Sequence, residues 1–178
     1  MKIKVLISTG GSGGHVLPAI TIYDHLKSRY ETLISTDLRG LKYLDKENYK
    51  SIIINTPRLN NIFLLPFVFL KVLFLTIKCL ITLKKEKVSI LISTGGYMSL
   101  PLCMAAKLLN IKIFLIEPNM VLRRANKFFL NFSKKLLCYS NNLINLPKKF
   151  EQKKIIIKPL IREKYYQKNN LQKIDSIF

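Results

Sequence analysis

Leu6-Ile7-Ser8-Thr9-Gly10-Gly11 is written a second time in this chain, as Leu91-Ile92-Ser93-Thr94-Gly95-Gly96. Each copy soon reaches a Leu-Pro pair, Leu17-Pro18 and Leu100-Pro101. In both, an apolar run ends in small hydroxyl residues and adjacent glycines, and a helical segment follows. This is the pattern of a buried strand feeding a tight turn that delivers a helix N-terminus, where glycines let backbone N–H groups face a ligand. Proline near the start of each helix fits, because the first turn has no N–H partners to lose. Two such loops on one sheet would converge at the carboxyl ends of its strands, where open α/β sheets bind ligands.

Outward from the loops, strand and helix alternate. Lys4 to Ser8 reads as a strand and Val16 to Arg29 as a helix with Ile20, Ile22, Tyr23 and Leu26 on one face. Short β-branched runs follow at Leu33 to Ser35 and Ser51 to Asn55. Val88 to Ser93 is a strand, Pro101 to Leu109 a helix and Ile111 to Ile116 a strand. Leu122 to Phe132 reads as helix, and Lys135 to Tyr139 and Lys154 to Ile157 as strands. The expected class is α/β, a Rossmann-like, mostly parallel sheet with helices on both faces.

Ile62 to Leu83 departs from an ordinary crossover helix. It is almost wholly apolar, interrupted by Pro66, Lys71, Thr76, Lys78 and Thr82. A spanning helix needs about 20 apolar residues. Leu, Ile and Phe gain roughly 0.3 to 0.6 kcal/mol each at the bilayer centre and each Lys costs roughly 2.5 to 3.5 kcal/mol, so insertion comes out near zero. Lys71, Lys78 and Lys85 fall on one stripe, which suits a helix lying in the membrane interface. A core helix packed on the sheet and a true span are the alternatives.

The chain has 178 residues, 49% of them hydrophobic, enough for a real core and too apolar for disorder. A net charge of +20 points to an anionic partner: a phosphate-bearing substrate, an acidic membrane surface or nucleic acid. The basic residues are dispersed and no finger or RNA-binding signature appears, so nucleic acid is the weakest of these. Cys79, Cys103 and Cys138 lie in apolar stretches without a CxxC, which reads as buried reduced thiols rather than a metal site or disulfides. Met1 to Ser8 runs straight into the glycine loop as a strand and does not read as a secretory leader.

Three phosphate or nucleophile motifs fail on Gly10-Gly11-Ser12-Gly13-Gly14-His15. The G-x-S-x-G elbow needs a late histidine, and the other histidine is His25. A Walker loop needs Gly-Lys-Ser/Thr where His15 and Val16 stand, and the dinucleotide fingerprint needs glycine at Val16. Asp37 could serve as a ribose acid, but an isolated Asp after a second strand is more often a turn residue.

What the loops do resemble is the MurG family. Gly10 through Ala19 resembles its first glycine loop, and Thr94-Gly95-Gly96-Tyr97-Met98-Ser99-Leu100-Pro101 its second. Glu117-Pro118-Asn119 with Arg124-Ala125-Asn126-Lys127 looks like its segment after the fifth strand, and Pro159-Leu160-Ile161-Arg162 is similar to its domain-junction stretch. The matches are in order along the whole chain. The resemblance implies the N-terminal half of a glycosyltransferase B fold. It also implies inverting transfer of GlcNAc from UDP-GlcNAc to undecaprenyl-diphospho-MurNAc-pentapeptide, at the cytoplasmic face of the plasma membrane, in peptidoglycan synthesis.

By position, the resemblance implies donor contacts from Ser12, Gly13, Gly14, Asn119 and Arg162, and acceptor contacts from Gly95, Gly96, Tyr97 and Ser99. His15 is the natural base for the acceptor hydroxyl, and Glu117 is the competing base or the group that orients it. No metal or cofactor is implied. Departures are Ser12 for threonine, Ile116 and Pro118 around Glu117, and Lys158 before the junction proline. Residues 1–162 would be the acceptor-binding domain and 163–178 the start of a linker, with the donor domain missing. The chain alone is therefore expected to be inactive, either as part of a longer enzyme or as the acceptor-binding membrane subunit of a split one with a partner chain. A nonenzymatic basic domain binding membrane or nucleic acid is the reading from another class.

Overall fold

The structure, a computed structural model, describes residues 2–45, 47–57, 63 and 65–160. Seven strands form one sheet: β1 (Lys4–Ser8), β2 (Glu31–Thr36), β3 (Ser51–Ile53), β4 (Ile90–Ser93), β5 (Lys112–Glu117), β6 (Ser133–Cys138) and β7 (Lys154–Ile156). All pair in parallel, in the order β3-β2-β1-β4-β5-β6-β7. This is the Rossmann-like doubly wound order, with the reversal between β1 and β4. The strands named from sequence are all present, with ends moved by a few residues.

The central strands are continuous apolar runs because both of their faces are covered. Leu6, Ile7, Leu91 and Leu115 are completely buried. On one face, helices α2 (Leu65–Lys85), α3 (Leu100–Leu108) and α4 (Arg124–Phe129) close over Leu6, Leu91, Ile113, Leu115 and Leu136. On the other, α1 (Gly13–Leu26) packs Val16, Ala19, Ile20 and Tyr23 on Val5, Ile7 and Ile34. Truncating one of these leucines to alanine would cost about 2–5 kcal/mol, set by how far the cavity collapses. Cys79 on α2, Cys103 on α3 and Cys138 on β6 are all buried and unpaired in the first of these clusters. Burial pushes the thiols of Cys79 and Cys103 up to about 12.

Both crossovers into the loop-bearing half stop in the same way. After α2, Lys87 takes a left-handed φ of 52°, Val88 N–H reaches Leu83 O and Lys87 N–H reaches Lys84 O. After α3, Asn110 (φ 55°), Ile111 N–H to Ala106 O and Asn110 N–H to Lys107 O repeat the geometry. These paired bonds satisfy the last carbonyls and turn the chain into the next strand.

Two helices differ from their sequence reading, and for a third one of the alternatives falls. α1 begins at Gly13, not Val16, so Pro18 falls in the second turn and Gly14 O loses its intrahelical donor. α4 is shorter than Leu122 to Phe132 because Val121 and Leu122 are drawn into a bridge with Ile144. α2 is not a core helix buried on the sheet. Only Thr76, Cys79 and Leu83 of its 21 residues are buried. Phe67, Phe69, Leu70 and Ile81 each stay more than 60% exposed, and Lys71, Lys78 and Lys85 are exposed as well.

Candidate functional site

The repeated sequence lies against itself. β1 and β4 are neighbours, and their register sets Leu6 beside Leu91, Ile7 beside Ile92 and Ser8 beside Ser93. One residue on, Thr94 Oγ1 donates to Thr9 Oγ1 at 2.9 Å, and Thr94 N–H to Ser8 O at 3.0 Å. Both chains then turn through paired glycines. Gly11, Gly95 and Gly96 have φ of 82°, 83° and 84°, which L side chains rarely adopt. The two loops are therefore side by side on one rim of the sheet.

His15 joins them. Its Nδ1 lies 2.8 Å from Thr94 O. A carbonyl only accepts, so Nδ1 carries the proton and Nε2 of the neutral ring keeps its lone pair. A half-buried imidazole fixed in that tautomer can take a proton from a hydroxyl. Beside it α1 opens without a side-chain cap: the Ser12 hydroxyl makes no bond to the first turn, and no acid lies there. Ser12 and Gly14 are exposed and Gly13 partly so. The first amides of a 14-residue helix are thus available to an anion.

Sequence reasoning missed what holds the first loop. The Asp37 carboxylate, buried at the end of β2, accepts from Gly11 N–H at 2.8 Å and Gly40 N–H at 2.9 Å through Oδ1. Its Oδ2 accepts from Arg39 Nε at 2.9 Å and Nη2 at 2.8 Å. Arg39 Nη2 also donates to the Tyr97 hydroxyl, and its guanidinium lies 5.7 Å from the ring centroid. One carboxylate and one guanidinium so tie β2 to both glycine loops. Burial pushes the Asp37 carboxyl upward, but the Gly11, Gly40 and Arg39 bonds outweigh it and hold the group below its ordinary value. Burial raises the Tyr97 hydroxyl, with Arg39 partly opposing it. Arg39 and Gly40 are sequence neighbours of Asp37, but its reach to Gly11, and that of Arg39 to Tyr97, come from the sheet and leave no local pattern.

Glu117 ends β5 with no solvent exposure. Its oxygens accept from Asn119 Nδ2 at 2.7 Å, Asn119 N–H at 3.3 Å, Arg123 N–H at 3.0 Å and Asn126 Nδ2 at 3.0 Å. None of these reaches His15, whose orienting partner is Thr94 O. Glu117 shapes the loop that presents half-buried Asn119 to the rim. Ser99 is buried, and its hydroxyl donates to Gly96 O at 2.7 Å, so it staples its own loop. Gly96 and Tyr97 are partly exposed, whereas Gly95 is buried above Asn126. Arg162 lies outside the described residues, as does the 163–178 segment. Among the described residues no cluster of His, Cys, Asp and Glu could hold a metal ion.

A profile of the glycosyltransferase family 28 N-terminal domain matches residues 5–138. The UDP-N-acetylglucosamine--N-acetylmuramyl-(pentapeptide) pyrophosphoryl-undecaprenol N-acetylglucosamine transferase of Pelagibacter ubique is 48% identical over 99% of this chain and 50% of its own length. The Rickettsia prowazekii protein of the same name is 34% identical over 97% of this chain and 43% of its own. The chain thus spans about half the length of the curated relatives it matches. Among solved structures, Acinetobacter baumannii MurG superposes with a TM-score of 0.73 at 22% identity, over 96% of this chain and 50% of that one. A Rickettsia bellii UDP-N-acetylglucosamine 2-epimerase gives 0.67 at 12% identity, over 98% and 50%. At those identities the likeness is one of fold, shared by a transferase and an epimerase alike. The profile match covers both glycine loops and the strands that carry them: the chain belongs to glycosyltransferase family 28, whose N-terminal domain it contains.

Proposed function

We propose that this chain is the acceptor-binding half of an inverting N-acetylglucosaminyltransferase. It would act with a donor-binding half to move GlcNAc from UDP-GlcNAc to the C4 hydroxyl of MurNAc on undecaprenyl-diphospho-MurNAc-pentapeptide. The observation that carries this reading is the 48% identity, across 99% of the chain, to a relative named for that transfer. The site supports it chemically. His15, with Nδ1 committed to Thr94 O, offers Nε2 to the acceptor hydroxyl. As that oxygen attacks the anomeric carbon, the C–O bond to UDP breaks and the proton passes to the imidazole. The open amides at Gly13 and Gly14 lie toward the departing diphosphate. Asn119 and Arg162 add donor contacts, and Gly96 and Tyr97 face the acceptor. Glu117 serves as a positioning residue for Asn119.

The same reading places the domain on the inner leaflet of the plasma membrane. The exposed apolar face of α2 has a lysine stripe along one edge, and the chain carries a +20 charge. An interfacial helix satisfies both features, with lysines at anionic headgroups and Phe67, Leu70 and Ile81 in the acyl boundary. Residues 1–162 form the acceptor domain in this scheme.

The test is reconstitution. The chain is mixed with the C-terminal half of the Pelagibacter ubique relative and UDP release is followed on a lipid I analogue. Turnover that needs both halves, and falls by at least a hundredfold in His15→Ala, is expected. A folded pair without turnover, or His15→Ala at full rate, refutes the reading.

A further inference from the structure

A single nitrogen gathers the pieces of the rim. Nη2 of Arg39 donates to Asp37 Oδ2 at 2.8 Å and to the Tyr97 hydroxyl, with Met98 Sδ 3.6 Å away. A Cβ at Gly11 would also lie 3.6 Å from it. The nitrogen thus meets both glycine loops and the turn after β2 at once. Met98 packs the same junction: it is buried, and Cβ atoms at Gly10 and Gly11 would lie 2.9 and 3.0 Å from its Cε. The turn also reaches the start of α1, where a Cβ at Gly13 would lie 3.2 Å from the Tyr43 ring. Residues 37–43 therefore border Gly13 on the donor side and Tyr97 on the acceptor side of the proposed reaction.

Backbone alone leaves the spacing of the loops loose. Each turns through two glycines of positive φ, and glycine admits the widest range of conformations. Tyr97, partly exposed just past such a pair, is gripped from outside its own loop by Arg39. Arginine suits the task. Its planar fork gives Asp37 two donors, Nε and Nη2, and still turns one of them to the phenol. We propose that Arg39 is a positioning residue for the sugar transfer, fixing Tyr97 of the second loop relative to the first loop and so orienting the acceptor. This rests on the transfer reading above. Asp37 anchors the guanidinium, the guanidinium aims the phenol, and Arg39 itself does not react. A misplacement of about 1 Å costs on the order of a hundredfold in rate, so the effect belongs to turnover and not to nucleotide-sugar binding.

Steady-state kinetics of the reconstituted pair on UDP-GlcNAc and a lipid I analogue test it, with folding checked by circular dichroism. Arg39→Met keeps the apolar stem and removes the fork. Its kcat should fall about tenfold or more, while KM for UDP-GlcNAc stays within about twofold. Tyr97→Phe should lower kcat to a similar degree. The double variant Arg39→Met/Tyr97→Phe should fall no further than the lower single, because both break one contact. Lys42→Ala, which removes an exposed cation from the same turn, should turn over at the wild-type rate. A second readout needs no activity. In the isolated chain labelled with carbon-13 tyrosine, the Tyr97 Cζ resonance, assigned by its loss in Tyr97→Phe, should move in Arg39→Met while that of Tyr23 stays in place. Wild-type kcat in Arg39→Met, losses that multiply in the double variant, or an unmoved Tyr97 resonance overturns the positioning role and leaves the transfer standing. A wild-type pair without turnover, with the resonance moving as expected, refutes the transfer reading instead.

Discussion

The two glycine loops share six residues of sequence, adjacent strands and a positive φ at every paired glycine, yet they are held in different ways. The first is fastened from outside: Asp37, at the end of β2, takes Gly11 N–H and Gly40 N–H. It passes directly into α1 and leaves that helix's first amides open. The second shares the outer tie, through Arg39 on Tyr97, but is fastened mainly from within. Ser93 Oγ accepts from Gly95 N–H at 3.1 Å, Ser99 Oγ donates to Gly96 O, and a short 3-10 turn over Tyr97–Ser99 precedes α3. The shared sequence specifies strand and turn, and the residues after it decide what the loop can offer. The first loop leads straight into open amides at Gly13 and Gly14, whereas the second commits Gly95 N–H and Gly96 O to its own serines.

Breaking the brace should produce the largest effect. Asp37→Ala strands the buried Gly40 N–H, the part-buried Gly11 N–H and the Arg39 guanidinium, and about 2–4 kcal/mol of stability should be lost in urea unfolding. Asp37→Asn sharpens this by pH. The folded carboxyl is held below its ordinary value, so its contribution is complete above the unfolded carboxyl pKa of about 3.9 and fades as pH falls through the folded value. The wild-type advantage over Asp37→Asn should be flat from pH 7 to about 5 and shrink in stronger acid. An advantage unchanged at pH 2 would remove Asp37 from the brace.

In the second loop Gly95→Ala is next. Its φ is 83° and a Cβ would sit 3.0 Å from Asn126 Nδ2, so a loss of about 1–3 kcal/mol is expected. Ser99→Ala removes one local staple, for about 1 kcal/mol. A loss as large as that of Asp37→Ala would erase the contrast between the loops. Gly14→Ala should be smallest in stability. The nearest group to its Cβ is Ser12 Oγ at 3.8 Å, and alanine favours the helix by up to about 1 kcal/mol. Its chemistry should suffer instead, with the reconstituted reaction slowed at least tenfold because the methyl occupies the ligand side. Full turnover in this variant would mean that the open helix end is only a surface.

Sequence legibility followed the range of the interactions. The Leu-Ile-Ser-Thr-Gly-Gly repeat is local chemistry, and it disclosed two strands, two loops and their common rim. The parallel sheet with helices on both faces came with it, because alternating strand and helix leave few ways to close a sheet, while the order of its strands emerged from the structure. What was illegible depends on neighbours. Asp37 read as a turn residue because Gly11, and Tyr97 through Arg39, arrive only through the pairing of β2 with β1 and of β1 with β4. α4 lost its first residues to a bridge with Ile144, a tertiary pairing that overrode a helical pattern. Glu117 read as a base or an orienting group by its type, while its burial and its bonds to Asn119, Arg123 and Asn126 appear only in three dimensions.

The sealed thiols supply a clock for this molecule. Cys79, Cys103 and Cys138 sit on three different elements of the helix-covered side, and the first two ionise only near pH 12. A thiolate is the form that alkylates, so an alkylating reagent meets them only when that side opens. Three labels added in a single kinetic step would report one cooperative unit, whereas early modification of Cys79 would show α2 peeling away while the sheet stays closed.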